Sequence, residues 1–225
     1  MSLMCRSFTR GAARTFLLFA AVTLVACSGR AAAQNPKPEQ PEVAAHSLYV
    51  PPLAGQKVSV LPLTMVLADR PLSAETPFTD RIAALRWADS LLGYALENRA
   101  PDVDWVLPPE LRRIAHRAPG VAPDPDRMGQ SVMGTPKLDF MPDPLRSYAR
   151  SLVALAGGRL LLIPAAFSFT PGEQGGVRAE LAIVVADSRN GRVTWRSLLV
   201  GEGPDPTTAV EAALKVMLPL PTDTQ

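Results

Sequence analysis

The sequence predicts an α/β (α+β) domain, a mixed sheet of about five strands ending in an antiparallel meander with helices packed on it. Three observations predict it. Apolar residues recur at helical spacing in some stretches and as short β-branched runs in others, alternating along residues 57–218. The first run, Lys57–Leu67 (KVSVLPLTMVL), is apolar at almost every position, as in a strand covered on both faces. Three further strand patterns then follow one another between residues 159 and 200, separated only by short turn-forming sequences.

The elements can be justified in order. Thr79–Asn98 is predicted helical, with Ile82, Leu85, Ala88, Leu92, Ala95 and Leu96 at helical spacing and Pro101 closing it. Asp102–Leu107 (DVDWVL) is a short strand, and Glu110–Arg117 a brief helix opened by Pro108-Pro109. Residues 118–143 are rich in Gly and Pro and show no strong period, a long irregular stretch for a compact domain. Leu145–Ala156 is a second clear helix, with Leu145, Tyr148, Ala149, Leu152, Val153 and Ala156 on one face and Gly157-Gly158 as its stop. Arg159–Phe169 is a strand, Pro171–Gly176 a hairpin loop, and Val177–Asp187 a strand that opens with alternation. Asn190-Gly191 predicts a type I′ turn into a last strand, Arg192–Val200. Asp205-Pro206 makes an N-cap and first-turn pair for a final helix carrying Val210, Ala213, Leu214, Met217 and Leu218. The order is β-α-β-α-α-β-β-β-α, and no internal repeat accompanies it.

Upstream of the domain, Arg6, Arg10 and Arg14 precede an apolar run, Thr15–Ala26, with no acidic residue between them. That is the layout of an export signal. The run is shorter than the ~20 residues a membrane helix needs, so residues 1–26 read as a processed signal peptide. Leu24-Val25-Ala26-Cys27 resembles the lipobox of bacterial lipoproteins, which implies that Cys27 becomes the first residue and carries the lipid (palmitate among its acyl chains). Ala31-Ala32-Ala33 before Gln34 offers a competing cut that would release a soluble product; Arg30 and the long spacing from the apolar run weigh against it. Residues 27–55, with Pro36, Pro38, Pro41, Pro51 and Pro52, read as the lipidated Cys and a Pro-rich tether. Residues 56–219 are then a single domain and 220–225 a tail.

Composition excludes several classes of function. The formal charge of +2 includes three arginines that leave with the signal, so the mature chain carries +2 − 3 = −1, and no basic stripe argues for nucleic acid. Cys5 departs too, which leaves Cys27 without a disulfide partner. The two histidines, His46 and His116, are too far apart in sequence for a zinc motif, and no cofactor is implied.

Four local patterns invite a chemical reading. Gly129-Gln130-Ser131-Val132-Met133-Gly134 is one residue too long for a nucleophile elbow and lacks a preceding buried strand, so it reads as an ordered loop. Asp124-Pro125-Asp126-Arg127-Met128-Gly129 begins like a calcium loop but ends without the bidentate Glu, since Thr135 stands there; both aspartates read as turn residues. Arg112-Arg113 reads as a solvated face, and Trp87, Trp105 and Trp195 as core side chains. Trp195 is expected to face inward together with Val193 and Leu199.

The apolar strand with a proline inside it (Val58–Leu63, VSVLPL), the helix ending in Ala156–Pro164 (AGGRLLLIP), and the hairpin residues Asp187, Gly191, Val193 and Trp195 form one pattern. It resembles the envelope lipoproteins related to the curli-secretion protein, the penicillin-binding-protein activator and the N-terminal domain of the Tol translocation protein. The resemblance spans about residues 57–218 and implies a small α/β domain that binds envelope proteins and does not turn over a substrate. It also implies a cell-envelope location, anchored by lipid to the outer membrane and facing the periplasm, with Ser28 after the Cys compatible with that delivery. The long amphipathic strand pair of the pore-forming relatives has no counterpart here, and residues 118–143 do not map onto the pattern. Those residues are therefore the expected partner-binding loop, carrying Met128, Met133, Leu138, Phe140 and Met141 as adaptable apolar contacts, with cover for the open edge or face of the sheet as the alternative role. A soluble periplasmic module and a hydrolase of cell-wall or lipid substrates remain the alternatives.

Overall fold

Pro62 splits the first apolar run in two. A computed structural model, which describes residues 45–172 and 175–220, forms β1 (Lys57–Val60) and β2 (Val66–Ala68) where the sequence predicts one strand. Proline has no N–H to give to a ladder. Both pieces nonetheless lie parallel to the same long strand: β1 beside its first residues, β2 beside residues 167–169.

The other elements follow in the predicted order. They are α1 (Arg81–Arg99), β3 (Asp104–Val106), α2 (Pro108–Arg117), α3 (Leu145–Ala156), β4 (Leu160–Pro171), β5 (Val177–Asp187), β6 (Val193–Gly203) and α4 (Pro206–Met217). Among the described residues the sheet has six strands in the order β3-β1-β4-β5-β6, with β2 paired to β4. β3, β1, β2 and β4 run parallel, whereas β4-β5-β6 is the expected antiparallel meander.

Both faces of the sheet are covered, by two separate apolar clusters. On the first face Val58, Leu162, Phe167, Leu181, Ile183 and Leu199 meet α1 and α4. On the second, Leu161, Ile163, Val184 and Ala186 meet α2, α3 and residues 118–143. Apolar runs without alternation in β1 and β4 are what two-sided burial requires. Each helix start is local chemistry: the carboxylate of Asp80 accepts the Ile82 N–H (2.8 Å) at α1, and that of Asp205 accepts the Thr208 N–H (3.0 Å) at α4. Ile82 itself points outward, 58% exposed, although the sequence places it on the apolar stripe.

Three expectations need correction. Residues 46–55 are not free tether. Leu48 and Leu53 are buried in the first cluster, and the Leu48 N–H bonds Met217 O (2.8 Å). Their apolar spacing is irregular because this stretch crosses the domain as extended chain and a short 3-10 turn, Pro51–Leu53. The turn at Asn190-Gly191 is not a two-residue type I′ turn either. Ser188–Gly191 form the loop, closed by the Gly191 N–H to Asp187 O (2.8 Å) and the Asp187 N–H to Arg192 O (2.9 Å). Gly191 supplies its left-handed residue (φ 78). Finally, a register shift opposite Val185/Ala186 puts Val193 and Trp195 on opposite faces. Trp195 stays on the Leu199 side but is only half-buried, with its Nε1–H donated to Ser47 O (3.2 Å).

Candidate functional site

The break at Pro62 is where the two layers of the domain meet in polar contact. Leu63, just past it, has no ladder partner for its N–H and donates instead to Asp89 Oδ1 of α1 (2.8 Å). Asp89 Oδ2 accepts from Arg112 Nη2 of α2 (2.9 Å). The same guanidinium forks onto Asp126, Nε to Oδ2 at 2.9 Å and Nη2 to Oδ1 at 2.7 Å. On the other side of the break, buried Gln130 donates its Nε2 to Pro62 O (2.8 Å) and Pro125 O (3.0 Å). One strand gap is thus bridged from α1, from α2 and from residues 118–143 at once.

Asp89 is 7% exposed. Burial disfavours its charge and lifts its carboxyl from 3.8 to about 6, although the Leu63 N–H and Arg112 both pull it down. Arg112 is held charged, first by its hydrogen bonds to Asp126. The group opens into a cleft of about 600 Å³ lined by Arg86, Tyr94, Glu97, Pro108 and Pro109. A buried carboxylate with a raised pKa and a cation partner in a cleft marks a candidate site, though ion-pair networks that only hold structure look alike.

Sequence reasoning missed this group. Arg112 was expected on a solvated face, and only its neighbour Arg113 is there. One signal was available: Asp89 interrupts the apolar stripe of α1, adjacent on the helix to Leu85, Leu92 and Gly93. A carboxylate in that place needs a partner.

The expected partner-binding loop is divided by the structure. Met128, Met133 and Met141 are buried in the second cluster, where they pack between the sheet and α2–α3. Leu138 is half-buried, and Phe140 is exposed (56%). The segment is built from two 3-10 turns, Pro125–Arg127 and Gln130–Gly134, too short to show a helical period. Arg196 of β6 ties it down, donating to Met133 O (2.5 Å) and Leu138 O (2.8 Å). What it presents outward is Val121, Val132 and Phe140.

The remaining patterns come out as follows. Ser131 is half-buried while His46 and His116 are exposed, and no hydrogen bond joins Ser131 to either among the described residues. Asp124 caps the Asp126 N–H (3.0 Å), and Asp126 is taken by Arg112, so both are turn and ion-pair residues. Trp87 packs on Phe78 and Phe169, and Trp105 donates to Ala100 O (2.9 Å) against the first cluster. Among the described residues no group of three His, Cys, Asp or Glu side chains is placed to hold a metal, and no helix is long and apolar enough to cross a membrane. The expected signal peptide 1–26, Cys27 and all of the expected tail 220–225 but Leu220 lie outside the described residues.

No family model and no curated protein matches the chain. Solved structures do. The LpoB C-terminal domain from Salmonella enterica is 15% identical, with a TM-score of 0.32, covering 67% of this chain and 82% of that one. The PelC dodecamer from Paraburkholderia phytofirmans is 16% identical, with a TM-score of 0.38, covering 79% and 94%. Lipoprotein GNA1162 from Neisseria meningitidis is 13% identical, with a TM-score of 0.32, covering 66% and 81%. LpoB is the penicillin-binding-protein activator that the sequence motifs resemble; the curli-secretion and Tol resemblances rest on those motifs alone. At these identities and TM-scores the likenesses assign no residue and no function to this chain.

Proposed function

We propose that this chain is a non-enzymatic lipoprotein of the bacterial cell envelope, anchored through Cys27 in the outer membrane, whose periplasmic domain binds a partner protein as an accessory or regulator. The observation that carries this reading is the N-terminal order of three arginines, an apolar run and Leu24-Val25-Ala26-Cys27. Two or more acyl chains on one residue make a stable anchor, since each buried CH₂ contributes about 0.8 kcal/mol. The contact surface is the outer side of residues 118–143, where Val121, Val132 and Phe140 stand exposed on a segment whose other apolar side chains hold it to the sheet. The competing signal-peptidase site at Ala31–Ala33 favours a second reading, a soluble periplasmic module starting at Gln34.

Intact-mass measurement on the membrane fraction separates the two. A mature N-terminus at Cys27 with acyl mass added, lost in Cys27→Ser, is the expected result; an unlipidated N-terminus at Gln34 refutes the anchor. The contact surface is tested by a photo-crosslinker at position 132 in intact cells. A discrete adduct with one envelope protein, abolished by Phe140→Glu in a domain that still melts cooperatively, is expected. Adducts unchanged by that variant refute the surface.

A further inference from the structure

Asp89 comes from the layer on the first face of the sheet, and Arg112 and Asp126 from the layer on the second. They join across the gap between β1 and β2, and two carboxylates there share one guanidinium. The layer they fasten is otherwise held at this end by apolar packing of Leu111, Met128 and Met133 on the second face of the sheet. Residues 125–134 form 3-10 turns without strand pairing, held by the Gln130 bonds to Pro62 O and Pro125 O and by Arg196. Other charged groups near the trio are Arg86 and Glu97 of α1, both exposed at the mouth of the cleft, and His116 and Asp124 beyond the Arg112–Asp126 pair. The β1–β2 connection contributes only the Leu63 amide.

We propose that Asp89, Arg112 and Asp126 are a pH-set latch that closes α2 and residues 118–134 over the second face of the sheet, tight in acid and looser at neutral pH. The latch rests on the trio itself and not on the proposed partner binding. Its sign follows from where the carboxylate is dry. Closed, Asp89 is buried and its carboxyl sits at about 6, with desolvation as the main cause and Asp126 adding to the rise. When α2 and the turns lift, water reaches the carboxylate and its pKa returns to the ordinary range near 3.9. Protons therefore bind the closed form more tightly. Closure is strongest below about pH 4, weakens as pH rises through about 6, and changes little beyond that. Between pH 5 and pH 8 the open fraction should rise about tenfold, the ratio of the two titrations over that window. Opening turns Met128 and Met133 from core to surface, the one state in which they can touch a partner.

Hydrogen exchange on the full mature chain, corrected for the intrinsic pH dependence of amide exchange, tests this. Peptides from residues 108–134 should exchange through an opening far more populated than that of β5, and that opening should rise about tenfold from pH 5 to pH 8 with a midpoint near 6. Asp89→Asn, which keeps an acceptor for the Leu63 N–H, should flatten the profile. The latch is overturned if residues 108–134 share the protection of β5, because the carboxylate would then be freed only by global unfolding. A flat wild-type profile, or a slope that survives Asp89→Asn, overturns it as well. If Asp89→Asn does not fold, Asp126→Asn serves instead. It removes a nearby negative charge and leaves Arg112 to Asp89 alone, so the midpoint should fall; an unmoved midpoint overturns the latch.

Discussion

Gly201 is the position where one methyl group should do the most damage. It lies on β6 opposite Ala179, buried beneath α4, and an added Cβ would stand 2.2 Å from Ala209 O and 2.3 Å from Ala213 N. Ordinary contact begins near 3.4 Å, so α4 would have to retreat by roughly 1 Å. Both clashing atoms are backbone, and no side-chain rotation relieves them. The retreat would loosen the packing of Ala209, Val210, Ala213, Leu214 and Met217 together, all of them buried. Overpacking of this kind costs about 1–3 kcal/mol, and a backbone clash belongs at the upper end. At about 3 kcal/mol, a domain of this size should lose roughly 6–12 °C in Tm. Gly55→Ala is the control. That glycine has φ 68 and open space around it, so only the left-handed backbone penalty of about 1–2 kcal/mol applies. Urea melts of the two variants decide the matter, and Gly201→Ala at least as stable as Gly55→Ala would refute the close approach of α4 to β6.

Met133 is fully buried, so Met133→Ala should cost about 2–5 kcal/mol, whereas Phe140→Ser should stay within about 0.5 kcal/mol; equal melts would show that residues 128–141 do not pack as described. Trp195→Ala should cost about 2 kcal/mol, below the 3–5 kcal/mol typical of a buried aromatic because the side chain is only partly buried, and it should raise exchange at Leu48, whose neighbour Ser47 accepts the indole N–H. Protection at Leu48 unchanged by the substitution would place the tryptophan away from that strand of chain.

Periodic elements were legible in the sequence because their signals are local. α3 begins and ends where Leu145 to Ala156 predict, α4 starts at the Asp205-Pro206 pair, and the meander follows from three apolar runs with turns between them. Each of these is decided by residues within one or two turns of each other, so a window of sequence contains the cause. The break at Pro62 had its cause in view, but its consequence, Leu63 reaching Asp89 across 26 residues, did not.

Tertiary structure decided which apolar residues of 118–143 face inward. Their spacing carries no period, since 3-10 turns of three and five residues are too short to repeat one. Met128, Met133 and Met141 are buried because residues 118–143 cover the second face of the sheet together with α2 and α3, a surface that exists only once β4 and β5 are paired. The interrupted stripe at Asp89 shows that a partner is needed, but Arg112 and Asp126 as its partners were unreadable for the same reason: the partnership spans two layers, and charge attraction acts through space and leaves no spacing rule along the chain. The proposed export signal is the opposite case. Such a signal is read by cellular machinery as a linear segment, so the meaning proposed for residues 1–27 lies in sequence alone.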